Sequence, residues 1–375
     1  MKNLTPTSGG LDASRVEEWA RITATLTRDV ELQLIRIIKN SVARNMGAGR
    51  WEVGRLAELA TVQAHMLQLL GDKWEHIIDE ANQVLQAAHD AGQSQAVTDL
   101  EAAGLPATLP TSMGNAIALT ARDILSPLMG IPTVILRSTS DIYQMLMAGP
   151  VTMVTTGALT RVDATQEALI RWARNGIPGF VDKAGRQWSM DAYAEMAVRT
   201  GGMNAMREGY ASTLTMSGMD LVRVTGHGYT CPKCAKYQGQ VLSLTGNTPN
   251  GPQRVLHATE DRHVTVNVVA SIPQATEDGL FHPNCGHSHN LYLPGVTTLN
   301  RPPANNGTYV ASQQQRALEL DVRKLKRELA AAFTPEKQTE LRRKIRGRQT
   351  QIRELVDSHS MLKRKPLREQ IKTAH

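Results

Sequence analysis

All three cysteines of this 375-residue chain fall in two short motifs. One is Cys231-Pro232-Lys233-Cys234 and the other is His282-Pro283-Asn284-Cys285, with 47 residues between them. Two pairs of donors, each spaced by two, suit a tetrahedral Zn²⁺, because each tight turn projects both side chains to one side of a knuckle. Pro232 and Pro283 stiffen those turns. Thiolates and neutral imidazole are the usual ligands of such an ion, and a Cys₃His set makes a closed, structural site. Cys231, Cys234, His282 and Cys285 are therefore the expected ligands of one structural Zn²⁺. His287 and His289 are alternates for the fourth position, and His227 is a further spare imidazole.

Other readings of the same residues stay open. An odd number of cysteines cannot form a closed disulfide framework, and a Cys-x-x-Cys pair points to a reducing compartment. Three free thiols without metal, or a lost metal with only the packing retained, would leave the same pattern. A redox Cys-x-x-Cys should open a helix after a strand, and would leave Cys285 over. Cys285 could pair with His282, His287 or His289 as nucleophile and base, but residues so close in sequence rarely form such a pair. The chain has no Walker loop, no dinucleotide-binding glycine pattern and no His-Glu-x-x-His. The expectation is a protein with no catalytic residues. His65, His76 and His89 read as ordinary surface or core histidines of helices.

The rest of the chain predicts a mainly α fold around a small α+β, zinc-knuckle-like domain. Aromatics are only 4% while methionines number 15, a balance that favours helices over a β-sandwich. Residues 1–110 read as a helical N-terminal bundle or stalk. Val16, Trp19, Ala20, Ile22, Leu26, Val30, Leu34, Ile37 and Ile38 recur at helical spacing. Gly47 and Gly49 end that helix, a second runs from Trp51 to Leu70 and is closed by Gly71, and a third runs from Trp74 to Leu100, closed by Gly104 and Pro106. Residues 111–175 form a helical middle region interrupted at Pro127, Pro132 and Pro150. The uncharged stretch from Ile142 to Thr160 reads as packing surface and not as a membrane span, since Gln144, Gly149, Pro150 and Gly157 interrupt it. The first residues, Met1 to Ala13, lack the apolar segment of a secretory signal.

Residues 176–300 are the expected α+β domain. Gly185 supplies the turn of a hairpin between Phe180 and Trp188. A helix follows from Met190 to Met216, with Gly201-Gly202 marking a kink or a close contact. Asp220–Val224, Gln240–Leu244 and His263–Val268 are strand candidates, and residues 246–262 read as a loop. Residues 308–375 form a basic helical hairpin tail. Residues 301–375 hold 18 Lys and Arg against 8 Asp and Glu, so the basic character of the chain sits there. Leu318, Val322, Leu325, Leu329 and Ala332 step at heptad spacing, and Leu341, Ile345, Ile352 and Leu355 carry the facing stripe. Thr334-Pro335 marks the start of the second helix. Packing those stripes should point Arg323, Lys324, Lys326, Arg327, Arg342, Arg343, Lys344, Arg346 and Arg348 outward, where they could bind DNA phosphates without sequence preference.

Several of these pieces together resemble a known family. They are Gly176 through Trp188, with Asp182, Gly185 and Trp188; Tyr193 through Thr200, with Arg199; Cys231 to Cys234 with Gln238-Gly239-Gln240-Val241-Leu242; and Gly279 through His287, closing with Tyr292-Leu293-Pro294-Gly295. The segment resembles the second family of phage minor capsid proteins, related to the Mu F-like head morphogenesis proteins. Gly286 departs from the Arg expected in the closing motif, which removes a phosphate or carboxylate contact without touching the ligands. The resemblance implies a structural protein of a tailed bacteriophage head, acting with the portal during assembly and DNA packaging. It implies the portal protein, the major capsid or scaffold protein and packaged double-stranded DNA as partners, no small-molecule substrate, and no membrane. The implied location is the capsid interior of the virion, with host cytoplasm during assembly. A DNA-binding or genome-delivered effector with a zinc-stabilised domain is the alternative.

Overall fold

The computed structural model describes residues 13–47, 55–110, 114–148, 161–176, 178–181, 185, 187–226, 230–299 and 307–371. Three long helices lead: α1 (Ala13–Gly47), α2 (Arg55–Ala102) and α3 (Gly114–Ala148). They are followed by α4 (Arg161–Asn175), a hairpin of β1 (Pro178–Val181) and β2 (Gln187–Ser189), and α5 (Met190–Met216). Next come β3 (Leu221–Val224), the single turn α6 (Pro232–Ala235), β4 (Val241–Ser243), β5 (Gly251–Leu256), β6 (His263–Ser271), α7 (Ile272–Glu277) and β7 (His289–Leu291). The chain closes with α8 (Thr308–Ala331), α9 (Pro335–Asp357) and the short α10 (Pro366–Glu369). The architecture is mainly helical with a small mixed sheet, as the pattern predicts.

Three of the expected helix breaks do not occur. α2 runs through Gly71, which is exposed and has no atom within 4 Å of where a Cβ would sit. A helical glycine costs about 1 kcal/mol relative to alanine, which 48 residues of helix absorb. α3 runs through both Pro127 and Pro132. Proline removes a donor and leaves the carbonyl four residues earlier without its helical partner; at Leu128 the indole of Trp74 takes that place (Nε1 to carbonyl oxygen, 3.0 Å). The part of the uncharged stretch beyond Ala148, with Pro150 and Gly157, lies outside the described residues, as do Asp182 and His227. No helix of the described residues is long and apolar enough to cross a membrane.

The described residues group into two compact units, each assembled from separate segments. One comprises Met1–Arg21, Ala81–Leu125 and Met196–Tyr309. Within it a five-stranded sheet has the order β5-β6-β4-β3-β7, antiparallel except for the parallel β4–β6 pair. All three strand candidates are present; the segment read as a loop contains β5, which pairs with β6 from Gly251↔Val268 to Leu256↔His263. Half-buried and exposed residues alternate strictly along it, but the sequence does not show this, because Gly251 and Gln253 share the half-buried face with Val255 while Leu256 is exposed.

Neighbouring strand residues go to opposite faces, as the period-2 pleat requires, except where an irregularity in the β4–β6 register moves Ala270 to the face opposite Val268. Val222, Val224, Leu242 and Ala270 join Ala96 and Leu100 of α2, Tyr210 and Leu214 of α5, and all three cysteines in one core. Leu221, Val241, Val266, Val268 and Tyr292 make a smaller cluster on the other face. α2 ends as its glycine predicts: with Gly104 at φ +70°, Gly104 N–H donates to Glu101 and Leu105 N–H to Leu100, a Schellman closure. α2 and α5 approach closely through glycines. A Cβ on Gly92 would lie 2.0 Å from the Met206 carbonyl oxygen, and one on Gly209 would lie 2.2 Å from that of His89. The expected close contact at Gly202 is with Val16, whose Cγ1 would lie 2.7 Å from a Cβ there.

The other unit comprises Ile22–Glu80, Ser126–Glu195 and Val310–His375. In it β1 and β2 pair antiparallel, with Phe180↔Trp188 in register and Gly185 at φ +76° between them. Trp188 is half-buried. Thr334 caps α9, accepting from Lys337 N–H at 3.4 Å, with Pro335 at the first helical position. Leu341, Ile345 and Ile352 of α9 are buried, and so are Val322 and Leu325 of α8, which places the paired stripes inside. An Arg348–Asp321 ion pair at 3.3 Å ties the two helices.

Candidate metal centre

Both motifs fold as tight turns. Cys231 is extended (φ −75°, ψ 158°) and Pro232 opens the single turn α6, so Cys234 comes back over Cys231, whose carbonyl accepts from Ala235 N–H. In the second motif Cys285 N–H donates to the His282 carbonyl at 2.8 Å. Asn284 sits at φ +64°, a left-handed conformation that Asn tolerates better than most residues. Asn284 is fixed from α5: its backbone N–H donates to Thr200 Oγ1 and its Oδ1 accepts from Arg199 at 3.0 Å. Arg199 thus acts on the second turn.

The turns bring five donors together. Cys231, Cys234 and His282 offer three ligand atoms within 4.8 Å of one another, as do Cys234, Cys285 and His287, so Cys234 is common to both sets. Cys231 Sγ lies 3.0 Å from His282 Nε2, and Cys234 Sγ lies 3.5 Å from Cys285 Sγ. Donors around a tetrahedral zinc, with Zn–S about 2.3 Å and Zn–N about 2.0 Å, stand roughly 3.5–3.8 Å apart. The Cys234–Cys285 separation matches that spacing and the Cys231–His282 separation is shorter, so the donor chemistry fits a metal ion that would draw Cys231 and His282 slightly apart. The three cysteines are buried and unpaired in any disulfide.

The imidazoles are oriented by second partners. His282 Nδ1 lies 2.9 Å from the Pro283 carbonyl, so the neutral ring donates there and turns its Nε2 lone pair toward Cys231. His287 Nε2 lies 3.0 Å from Gln238 Oε1, which leaves Nδ1 facing Cys285 Sγ at 3.4 Å. Ligating histidines are commonly fixed by such a second hydrogen bond. Thr230 Oγ1 donates to the same Gln238 oxygen.

Two of the three sulfurs, Cys231 and Cys285, lean toward the thiolate that a cation requires, while Cys234 is the thiol that donates to Cys285. The hydrogen bond from Cys234 brings Cys285 down to about 3, against burial and with help from His287. That same bond, with burial, pushes the Cys234 thiol up. Burial opposes ionisation of Cys231, but hydrogen bonds from the Cys234 backbone and, without a metal, from a protonated His282 outweigh it and lower its pKa.

His289 is not brought into the cluster. It is fully buried, its ring lies 5.8 Å from that of Tyr210 and 5.9 Å from that of Phe281, and burial followed by the Arg207 charge lowers its pKa to about 3. The sequence marks Gln238 only as part of the family resemblance, with no role at the site, and does not single out Arg207 at all. Arg207 continues the buried stripe Met203, Tyr210 and Leu214 at helical spacing, and a cation on such a stripe is the one signal that could have singled it out.

The nine basic residues expected to face outward divide. Arg342, Arg343, Lys344, Arg346 and Arg348 of α9 are exposed, Lys344 paired with Glu340 and Arg348 with Asp321. Lys324 and Lys326 are half-buried. Arg323 and Arg327 face inward instead. Arg327 donates to Glu31 and to Asp191, each at 2.6 Å, and Arg323 stands 3.5 Å from Asp191. Arg28 completes the cluster, donating to Asp191 at 3.1 Å and to Glu195 at 2.6 Å. Facing carboxylates on α1 and α5 draw these two guanidinium groups away from solvent and from any phosphate.

With this geometry in hand, comparison with known proteins gives one result: the sequence profile of the family described as Phage minor capsid protein 2 matches residues 11–357. No curated protein and no solved structure matches the chain.

Proposed function

Because the chain belongs to the phage minor capsid protein 2 family, matched over residues 11–357, we propose that it is a non-catalytic head protein with a metal-stapled domain. The family itself places it among structural proteins of the phage capsid, and such proteins act with other head components. In our reading it joins the portal and the major capsid or scaffold protein during assembly, and resides inside the virion after assembly in the host cytoplasm. The family match carries this reading.

One Zn²⁺ held by Cys231, Cys234, Cys285 and His282 would serve as a cross-link between two turns. A small, mixed sheet with short strands gains most from such a link, because the ion ties segments about 50 residues apart. His287 then stays outside the four ligands, its Nε2–H held by Gln238.

DNA contact is the second element of the proposal, and the observation favouring it is the exposed row on α9. The row contains five cations, Arg342, Arg343, Lys344, Arg346 and Arg348, on one helix. Contacts of this kind supply sequence-independent affinity. A genome-delivered effector would use the same row, so the test must locate the protein. A mass-spectrometric inventory of purified procapsids and virions should find the chain in both, and portal capture from assembling lysate should retain it. Absence from both particles would overturn the reading.

A further inference from the structure

Arg207 lies on α5 and is 5% exposed. Its guanidinium donates to the Met203 carbonyl at 2.9 Å, to Asn204 Oδ1 at 2.9 Å and to the His287 carbonyl at 3.4 Å. Its Cζ stands 4.1 Å from the centre of the Phe281 ring. Every one of these partners is neutral. A buried cation without an anion is strongly unfavourable, so buried charges are paired or serve a metal site. As thiolates, Cys285 and Cys234 would favour the Arg207 charge against its burial, and His287, whose carbonyl binds Arg207, meets the Cys285 sulfur with its ring.

We propose that Arg207 is the buried counter-ion of the metal centre, neutralising the surplus charge of three thiolates and so fixing the donor set as three cysteines and one neutral histidine. The inference rests on the metal reading above. Three thiolates around a divalent ion leave one negative charge, and the guanidinium cancels it. Two thiolates and two imidazoles would leave the centre neutral and Arg207 uncompensated. Only the three-cysteine set gives a buried cluster without net charge.

The surroundings hold the cation in place. Phe281 sits at φ +59°, a conformation disfavoured for a bulky side chain, directly before His282. That backbone aims its ring at Arg207 and starts the ligand turn at once. The His287 carbonyl binds Arg207 while the same residue's ring faces Cys285, so one residue connects the cation to the sulfurs.

The test uses full-length wild type, Arg207→Lys and Arg207→Met, each loaded with Zn²⁺ and titrated with a competing chromophoric chelator. Arg207→Met should bind zinc about 10- to 100-fold more weakly, as when other outer partners of metal ligands are removed. Arg207→Lys, which keeps the charge, should recover most of that affinity. Cobalt-substituted wild type should show the charge-transfer intensity of three thiolates, a readout that does not require the variants to fold. Wild-type affinity in a folded Arg207→Met protein, or a two-thiolate cobalt spectrum, would overturn the counter-ion role while leaving the metal in place. No metal uptake by wild type would remove the centre itself, and both readings with it.

Discussion

The indole Nε1 of Trp74 donates a 3.0 Å hydrogen bond to the Leu128 carbonyl, the acceptor that Pro132 leaves without its helical donor. Trp74→Phe should strand that buried carbonyl and cost about 1–3 kcal/mol in urea unfolding. In a Pro132→Ala background the backbone N–H returns and the same change should cost less. Equal costs in the two backgrounds would show that the tryptophan acts by packing alone.

Helical glycines of this chain should respond with opposite signs. Gly71→Ala adds a methyl group where nothing lies within 4 Å and should stabilise by about 0.5–1 kcal/mol. Gly92→Ala and Gly209→Ala place a Cβ against backbone oxygens at 2.0 and 2.2 Å, so the helices must separate and stability must fall. Thermal unfolding of the three variants checks both signs.

What was legible in the sequence follows from what each residue type signals. The knuckle turns, the three strands, the stripes of α8 and α9 and the glycine closure of α2 were readable, because spacing and local chemistry determine them. Continuity of α3 was not, since the donor that replaces the proline's missing N–H comes from Trp74, 54 residues away. The inward turn of Arg323 and Arg327 was hidden for the same reason. A basic residue on an amphipathic helix reads as solvated until Glu31 and Asp191 are seen facing it. His287 and His289 were equivalent candidates by spacing, but only His287 meets a sulfur, because Gln238 orients it.

The cluster around Asp191 should make folding sensitive to acid. Burial alone would raise its pKa, but Arg327, Arg323 and Arg28, with a hydrogen bond from Ser189, hold it far below the usual carboxylate range. A carboxyl that binds protons less readily when folded contributes stability above its unfolded pKa of about 3.9. That contribution is lost as pH falls below about 4. Urea midpoints between pH 2 and pH 7 should decline on the acid side, and Asp191→Asn should flatten the decline. Arg327→Met, which leaves two carboxylates buried with one partner fewer, should cost about 3–5 kcal/mol at neutral pH.

DNA binding should separate the two classes of tail cation. Replacing Arg342, Arg343, Lys344, Arg346 and Arg348 together with Gln should leave the fold intact, since these side chains are exposed. Duplex affinity should fall, and its salt dependence should weaken by about 0.9 in log–log slope for each phosphate that is no longer neutralised. Unchanged affinity and slope would remove α9 from DNA binding and leave docking to other head proteins as its role.

The most direct test of the metal-stapled domain is the elemental content of protein purified without chelator. The predicted result is about one zinc per chain, retained through gel filtration. Protein that contains no metal while all three cysteines remain reduced and the fold is intact would contradict it.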